Sequence, residues 1–376
     1  MRFAEADGKA LLRRHGIATP RGIALRAQDA APAELAGWPG LVAKAQVLEG
    51  GRGKRGLVRP TDAAGLAAAR AAIAGIAGPV PVLVEEAVAI ERELYLALRV
   101  DGTRQTQEVL FAAAGGIEVE QARDPLRLPI DADAPDAAET LYPALAATLP
   151  PALAARVARL AARLARIARD EDLDLLEINP LAVTPAGLVA CDAKLVRDDA
   201  AIPRHDMPAD SAALEEAALT PLERRARADG FALVEMPGDV ALVSAGAGLG
   251  MFLLDLLADH GLRAACFMDN MRGGPADTTE ARLRIAFEIA ARPEVRAILF
   301  YTTLASRPLA DRIEGLLAFL AHTPAPKPLF VGFAAAPSAI GSFDVAAATG
   351  RLRAAGIAGL EDDPRTLVRA VAGAGA

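Results

Sequence analysis

The sequence is short of several residue types, and each shortage argues against a class of function. Cysteine occurs only twice, at Cys191 and Cys266, far apart and without metal-ligand spacing. That speaks against a disulfide framework or a structural zinc site, and a reducing cytoplasm is the expected location. No run approaches the roughly 18 consecutive apolar residues of a membrane span. The opening stretch MRFAEADGKALLRRHG has no apolar segment of the secretory kind, so export is not expected either. Aromatic residues make up 4%, no basic stretch is interleaved with them, and the net charge is −7. Nonspecific binding to nucleic acid is therefore disfavoured. The four histidines, His15, His205, His260 and His322, have no i+4 partner and no adjoining glycine loop. They suggest neither a Ser-His-Asp triad nor a zinc cluster. Lysine is scarce as well. Of 41 basic residues only Lys9, Lys44, Lys54, Lys194 and Lys327 are lysines. Against an arginine background, a lysine draws notice wherever a compact point charge would matter.

What remains is a globular chain of 376 residues, 53% hydrophobic and 24% charged, long enough for two domains. Residues 5–15 read as a helix closed by Gly16. Turn signals around Trp38-Pro39-Gly40 separate short strands, and the alanine-rich residues 62–77 read as a helix. Residues 80–88, 93–101 and 106–113 read as consecutive strands of an antiparallel meander. Residues 152–172 carry Leu153, Val157, Leu160, Leu164 and Ile167 at helical spacing. DLLEINPLAVTPAGLVACDAKL reads as two strands joined by a Thr184–Gly187 turn. The polar, proline-containing stretch 201–237, with a short charged helix near residues 212–229, reads as a connecting segment. From 238 to 376, strands alternate with helices (VALVSA, AACFMD, VRAILFY, KPLFVGF), the pattern of a flavodoxin-like parallel sheet. The fold class is α/β, with a mixed α+β first domain over residues 1–200 and a parallel α/β second domain.

Four motifs could carry chemistry. In Lys44-Ala-Gln-Val-Leu-Glu-Gly-Gly-Arg-Gly-Lys54, a strand bearing a lysine runs into a glycine-rich basic loop. Gly50, Gly51 and Gly53 allow backbone N–H groups to approach an anion, and Lys44, Arg52 and Lys54 supply charge. The spacing is not that of a Walker A loop, and a solvated basic hairpin would read the same way. Glu177, Asn179 and, on the facing strand, Asp192 offer oxygens to Mg²⁺, or are polar residues of an exposed hairpin. Glu85-Glu86 and Glu93 stand at strand ends, where they could bond a nucleotide's hydroxyl or amino groups or simply face solvent. Ser244-Ala-Gly246-Ala-Gly248-Leu-Gly250 is a glycine turn between strand and helix, a weak anion-site signal. Only Asp269 stands near a ribose-binding position, so a dinucleotide site is not supported.

Taken in order, these segments resemble the beta subunit of succinyl-CoA synthetase and its relatives. The resemblance runs through KALLRRHGIATPRG, LVAKAQVLEGGRGKRGLV, LVEEAVAIERELYLALRVD, LLEINPLAVTPAGLVACDAKL and SAGAGLGM, and so covers nearly the whole chain. It implies an ATP-grasp domain followed by a ligase-CoA domain. Lys44, Gly51, Arg52 and Gly53 would bind ATP phosphates. Glu85, Val88 and Glu93 would contact the nucleotide, and Asn179 and Asp192 would hold Mg²⁺. The implied reaction is an ADP-forming carboxylate–CoA ligation with ATP and CoA as substrates. ATP phosphorylates a histidine of a partner alpha subunit, the phosphate passes to the carboxylate, and CoA displaces it. No glycine-flanked phosphohistidine motif occurs in this chain, so the resemblance assigns that residue and most of the CoA site to the partner.

The second domain departs from the family pattern. Ala245, beside Ser244, stands where the family has an asparagine. Thr302-Thr303-Leu304 replaces a Gly-Gly-Ile loop, Asn270-Met-Arg-Gly273-Gly274 matches only in part, and Gly332 to Pro337 replaces a polar segment. Ser244, Ala245, Thr302, Thr303 and Leu304 are therefore the candidate carboxylate-site residues, and a small acid other than succinate is the expected substrate. Two alternatives stand beside this reading: an ATP-grasp ligase with an amine acceptor, and a nucleotide-binding assembly subunit without turnover.

Overall fold

In the computed structural model, residues 1–116, 125–244, 247–271, 278–303, 309–334 and 344–374 are described. The chain divides into two units, Met1–Ala217 and Ala218–Ala376.

The first unit holds two antiparallel sheets. β1 (Gly22–Leu25), β2 (Leu41–Ala45), β3 (Val58–Thr61) and β4 (Val82–Glu86) form one, in the order β1-β4-β2-β3. Helix α2 (Leu66–Ala77) presses Leu66, Ala69 and Ile73 onto its apolar face, against Leu41, Ala43 and Val84. β5 (Arg92–Asp101), β6 (Thr106–Ala112), β7 (Leu126–Ile130), β8 (Leu173–Thr184), β9 (Gly187–Ala190) and β10 (Lys194–Arg197) form the other. Its order is β10-β8-β5-β6-β7, with β9 paired to β8.

The meander expected over residues 80–113 is therefore different in detail. β4 lies between β1 and β2, and the meander is β5-β6-β7. The reason is visible locally. Asp101-Gly102-Thr103 turns β5 tightly into β6, whereas Ala87-Val88-Ala89-Ile90 holds no turn residue and carries the chain from one sheet to the other.

Helices α3 (Ala137–Ala146) and α4 (Pro151–Asp170) cover the larger sheet. The buried stripe of α4 is mostly alanine, with Val157, Leu164 and Ile167 among Ala154, Ala158, Ala161 and Ala165. Leu153 and Leu160, read as core from their spacing, are only half-buried. Alanine lets the helix lie close to the strands, and the leucines fall at the margin of the contact. Helix α1 (Glu5–Arg14) approaches β10: a Cβ on Gly8 would stand 3.3 Å from Leu195 Cδ1 and 3.5 Å from Ala193 O.

The stretch 201–237, read as a connecting segment with one short helix, carries more regular structure than that. It holds α5 (Ala209–Ala218), α6 (Pro221–Ala228) and β11 (Phe231–Glu235). Thr220 and Glu223 cap α6 reciprocally.

The second unit is doubly wound. β12 (Val240–Ser244), β13 (Ala264–Asn270), β14 (Ala297–Thr303), β15 (Leu329–Ala334) and β16 (Gly359–Glu361) are parallel, in the spatial order β13-β12-β14-β15-β16. This is the flavodoxin order 2-1-3-4-5. β11 adds an antiparallel edge on β13. Alternation along β12 sends Val240 and Leu242 toward α7 (Ala247–Asp259) and α11 (Pro364–Gly373). Ala241 and Val243 face the core formed with α8 (Thr279–Ala290), α9 (Leu309–His322) and α10 (Val345–Ala354). Both faces are covered, hence the near-continuous apolar strands.

Candidate functional site

Lys44 sits on β2 with the residue 7% exposed, opposite Leu83, while Glu85 on β4 lies opposite Val42. The two share one face as diagonal neighbours. Lys44 Nζ is 2.6 Å from Glu85 Oε2 and 3.0 Å from Glu5 Oε1, and donates to the Cys191 carbonyl at 2.5 Å. Lys9, fully buried on α1, uses the same three partners. Its Nζ is 2.6 Å from Glu5 Oε1, 2.6 and 2.7 Å from the two Glu85 oxygens and 2.7 Å from Cys191 O. Arg52 closes the group. Nη2 donates to both Asp192 oxygens at 2.7 Å, Nη1 stands 2.6 Å from Glu5 Oε2, and Nη1 also donates to Ala45 O at 3.2 Å. Three cations thus face three carboxylates at a junction of α1, the first sheet, the glycine loop and the turn after β9.

Burial alone would lower the pKa of Lys44, but Glu5, Glu85 and Asp192 outweigh it and hold the ammonium well above its ordinary value. Arg52 is likewise raised by Glu5 and Asp192 against the effect of burial. Burial would raise Glu5, yet Lys44, Lys9 and Arg52 keep it well below the usual carboxylate range. All three groups stay charged at neutral pH because each is paired, as buried charge requires. The neighbouring Cys191 thiol is pushed up to about 11, chiefly by burial.

Gly51 adopts φ +70°, a conformation a side chain would strain, and the loop folds back through Arg55 N to Gly51 O (3.2 Å) and Leu57 N to Arg52 O (2.9 Å). Gly51 and Gly53 therefore flank Arg52 in a turn that aims its guanidinium at the Asp192 hairpin.

A second group lies beside the first. From the pair Leu96–Ile178 to the pair Leu94–Leu181, β8 advances three residues and β5 two, so Asn179-Pro180 forms a bulge opposite Tyr95. Asn179 Oδ1 accepts from Gly116 N at 2.7 Å, and Asn179 Nδ2 donates to Gly116 O at 3.3 Å. Gly116 has φ +82°, and a Cβ there would run into Glu93 Oε2. Asn179, Glu93 and Gly116 thus converge. Cys191 N donates to Pro180 O at 3.1 Å, which ties this group to Asp192. Val88, half-buried, lies on the segment between Glu85 and Glu93. Among the described residues, no three His, Cys, Asp or Glu side chains form a metal cluster by themselves. Asn179 and Asp192 do offer oxygen donors, and the Asp192 side chain keeps 33% exposure. A pair of protein oxygens completed by waters and phosphates suits Mg²⁺.

In the second unit, Ser244 ends β12 and Thr302 is the last residue but one of β14, the adjacent parallel strand, where the strand order reverses, the usual place for a ligand in such sheets. Ser244 is buried, its Oγ has no hydrogen-bond partner among the described residues, and its carbonyl accepts from Arg282 Nη1 at 3.0 Å. Arg282 also donates to Asn270 Oδ1 (2.7 Å) and Thr278 Oγ1 (2.8 Å). Thr302 Oγ1 accepts from Arg312 Nη1 at 2.8 Å. Thr303 closes β14. Ala245, Leu304, Gly273-Gly274 and Ala335 to Pro337 lie outside the described residues.

A family model for the ATP-grasp domain matches residues 2–183. The beta subunit of ADP-forming succinate–CoA ligase from Ignicoccus hospitalis is 33% identical over 346 residues, covering 88% of this chain and 89% of the relative. That from Methylobacillus flagellatus is 37% identical over 80% of this chain and 81% of its own length.

The chain belongs to the family of ADP-forming succinate–CoA ligase beta subunits.

The fold extends to more distant structures. ATP citrate lyase from Methanothrix soehngenii superimposes with a TM-score of 0.69 over 98% of both chains at 18% identity.

In this family member, the first unit gathers Lys44, Arg52, Glu85 and Asp192 by direct contact, with Asn179 and Glu93 alongside. Sequence reasoning missed Glu5 and Lys9. Their one signal was the rarity of lysine, because an i,i+4 Glu–Lys pair on a short helix looks like a solvated face. Chemically, the arrangement offers two cations at the margin of a buried, charge-balanced cluster, beside oxygen donors suited to a hard divalent ion. Phosphoryl transfer demands that kind of charge clamping more than a protein nucleophile.

Proposed function

We propose that this chain is the nucleotide-binding subunit of an ADP-forming carboxylate–CoA ligase. It would use MgATP to phosphorylate a histidine of a partner alpha subunit, on the way to an acyl phosphate and an acyl-CoA. The observation that carries the proposal is the meeting of Lys44, Arg52 and the Asp192 hairpin in a chain of this family. Lys44 and Arg52 would turn from their carboxylates to the polyphosphate, and Gly51 and Gly53 would let the loop backbone close on it. Asn179 and Asp192 would hold Mg²⁺, which when bound neutralises charge on the phosphate oxygens. Glu85, Val88 and Glu93 would border the rest of the nucleotide.

The acid is proposed to differ from succinate. Where the family pattern has glycine, this chain carries Thr302, buried and bonded to Arg312. A hydroxyl and a guanidinium at the strand ends favour an acid with a further polar group. The test is CoA-dependent ADP release by this chain co-expressed with its alpha partner. Succinate, malate, citrate, itaconate and sulfonated acids would form the panel. Turnover with one polar acid and not with succinate supports the reading. With MgATP bound but no acid turned over, the ligase assignment fails.

A further inference from the structure

Lys9 is the one cation of the cluster that the proposed reaction leaves without a task. It is fully buried, while Lys44 keeps 7% exposure. Its ammonium is wholly engaged by Glu5 Oε1, both Glu85 oxygens and Cys191 O. Lys44 has the same partners, but Lys9, with no exposed surface, has no open side from which to meet a ligand. Every one of those groups is also a partner of Lys44. Glu5 in turn meets Arg52 through its other oxygen.

The consequence is electrostatic. With Lys9 in place, two carboxylates are shared by two lysines, and Lys44 is held without being fully neutralised. With Lys9 removed, Glu85 would be left to Lys44 and Glu5 to Lys44 and Arg52, with no third cation to share them. Lys44 and Arg52 would then be drawn onto the carboxylates, and the cluster would carry one net negative charge toward an incoming polyphosphate.

We infer that Lys9 is a positioning residue that sets how strongly Lys44 and Arg52 hold the nucleotide's phosphates, acting through the carboxylates of Glu5 and Glu85. The inference rests on the nucleotide-site reading above.

Charge, rather than packing, is the proposed agent, and the two can be separated. Lys9→Met keeps length and apolar volume but leaves the cluster one cation short. Lys9→Met with Glu5→Gln restores the balance. Glu5→Gln alone tips it the other way. MgATP affinity is measured by calorimetry on the full chain, beside the thermal midpoint of each variant. Removing one buried charge close to the phosphates is expected to weaken MgATP binding about tenfold in Lys9→Met. The double variant is expected within about threefold of the parent, and Glu5→Gln at or above it. The idea is overturned if folded Lys9→Met binds as the parent does. It is equally overturned if the double variant stays as weak as Lys9→Met at a native-like midpoint. Should Lys9→Met not fold, Glu5→Gln decides: weaker binding than the parent contradicts the charge argument. If the parent chain itself does not bind MgATP, the nucleotide-site reading fails rather than this one.

Discussion

Replacing Lys44 by methionine separates the site's role in stability from its role in binding. The substitution keeps the four-atom stem and deletes the ammonium that lies 2.6 Å from Glu85 Oε2 and 3.0 Å from Glu5 Oε1. Breaking a buried ion pair by removing one partner costs about 3–5 kcal/mol. Here Lys9 stays on both carboxylates and Arg52 stays on Glu5. The orphaned charge is therefore partly compensated, and the lower figure, about 3 kcal/mol, is expected. For a unit of this size, that is a fall in melting temperature of about 6–12 °C. The fold survives, because the core of the first sheet, Leu41, Ala43, Ile73 and Val84, is not touched. Binding suffers far more. Without the ammonium, the cluster loses the lysine proposed to meet the phosphates and carries one uncompensated negative charge toward them, and MgATP affinity is expected to fall by at least about a hundredfold. Thermal unfolding followed by circular dichroism, with MgATP titration on the same sample, reads both. A folded variant that binds MgATP like the parent would show that Lys44 does not face the phosphates. An unchanged melting temperature would refute the charge network itself.

Three further outcomes follow from the same geometry. Asp192→Asn loses the paired acceptor of Arg52 Nη2 and one oxygen donor of the proposed magnesium site. The Mg²⁺ concentration for half-maximal nucleotide binding is expected to rise at least about tenfold, while a chain whose metal site lies elsewhere would show no change. Cys191, 8% exposed and with its thiol pushed up to about 11, should resist a disulfide reagent at pH 8 in the native chain and react once unfolded. Rapid native reaction would contradict the burial. Glu5 is depressed from 4.5, so its stabilisation is present above that value and is lost as pH falls below it. Lys44 is raised from 10.5, so its contribution is complete below that pH and fades only above it. Urea midpoints should therefore change little from this cluster between pH 7 and 5 and drop below pH 4.5, less steeply in Glu5→Gln. An equal drop in both variants would remove Glu5 from the account.

Much of this was legible because it is written in short range. Lys44, the glycine loop and Arg52 lie within nine residues, and the Asn179 and Asp192 hairpin turns on Thr184 and Gly187, which bond each other as their spacing implies. The rhythm of the second unit announced its parallel sheet. What could not be read was long-range. Glu5 and Lys9 become part of the site only because Gly8 lets α1 lie against Ala193 and Leu195, nearly two hundred residues away. β4 looked like part of a meander because adjacent strands usually pair. Its place between β1 and β2 depends on apolar faces that no local pattern reveals. Residues 201–237 looked like a linker because prolines and charges dominate, yet β11 within them is added to the edge of the second unit's sheet.

Phosphoryl transfer within the complex decides between a working nucleotide site and a structural charge cluster. This chain and its alpha partner would be purified together and exposed to γ-labelled ATP with Mg²⁺, without CoA. An acid-labile, alkali-stable label is expected on the partner, absent in Lys44→Met and discharged on adding CoA with the cognate acid. Label on this chain instead, or none on either while MgATP is demonstrably bound, would contradict the proposed transfer.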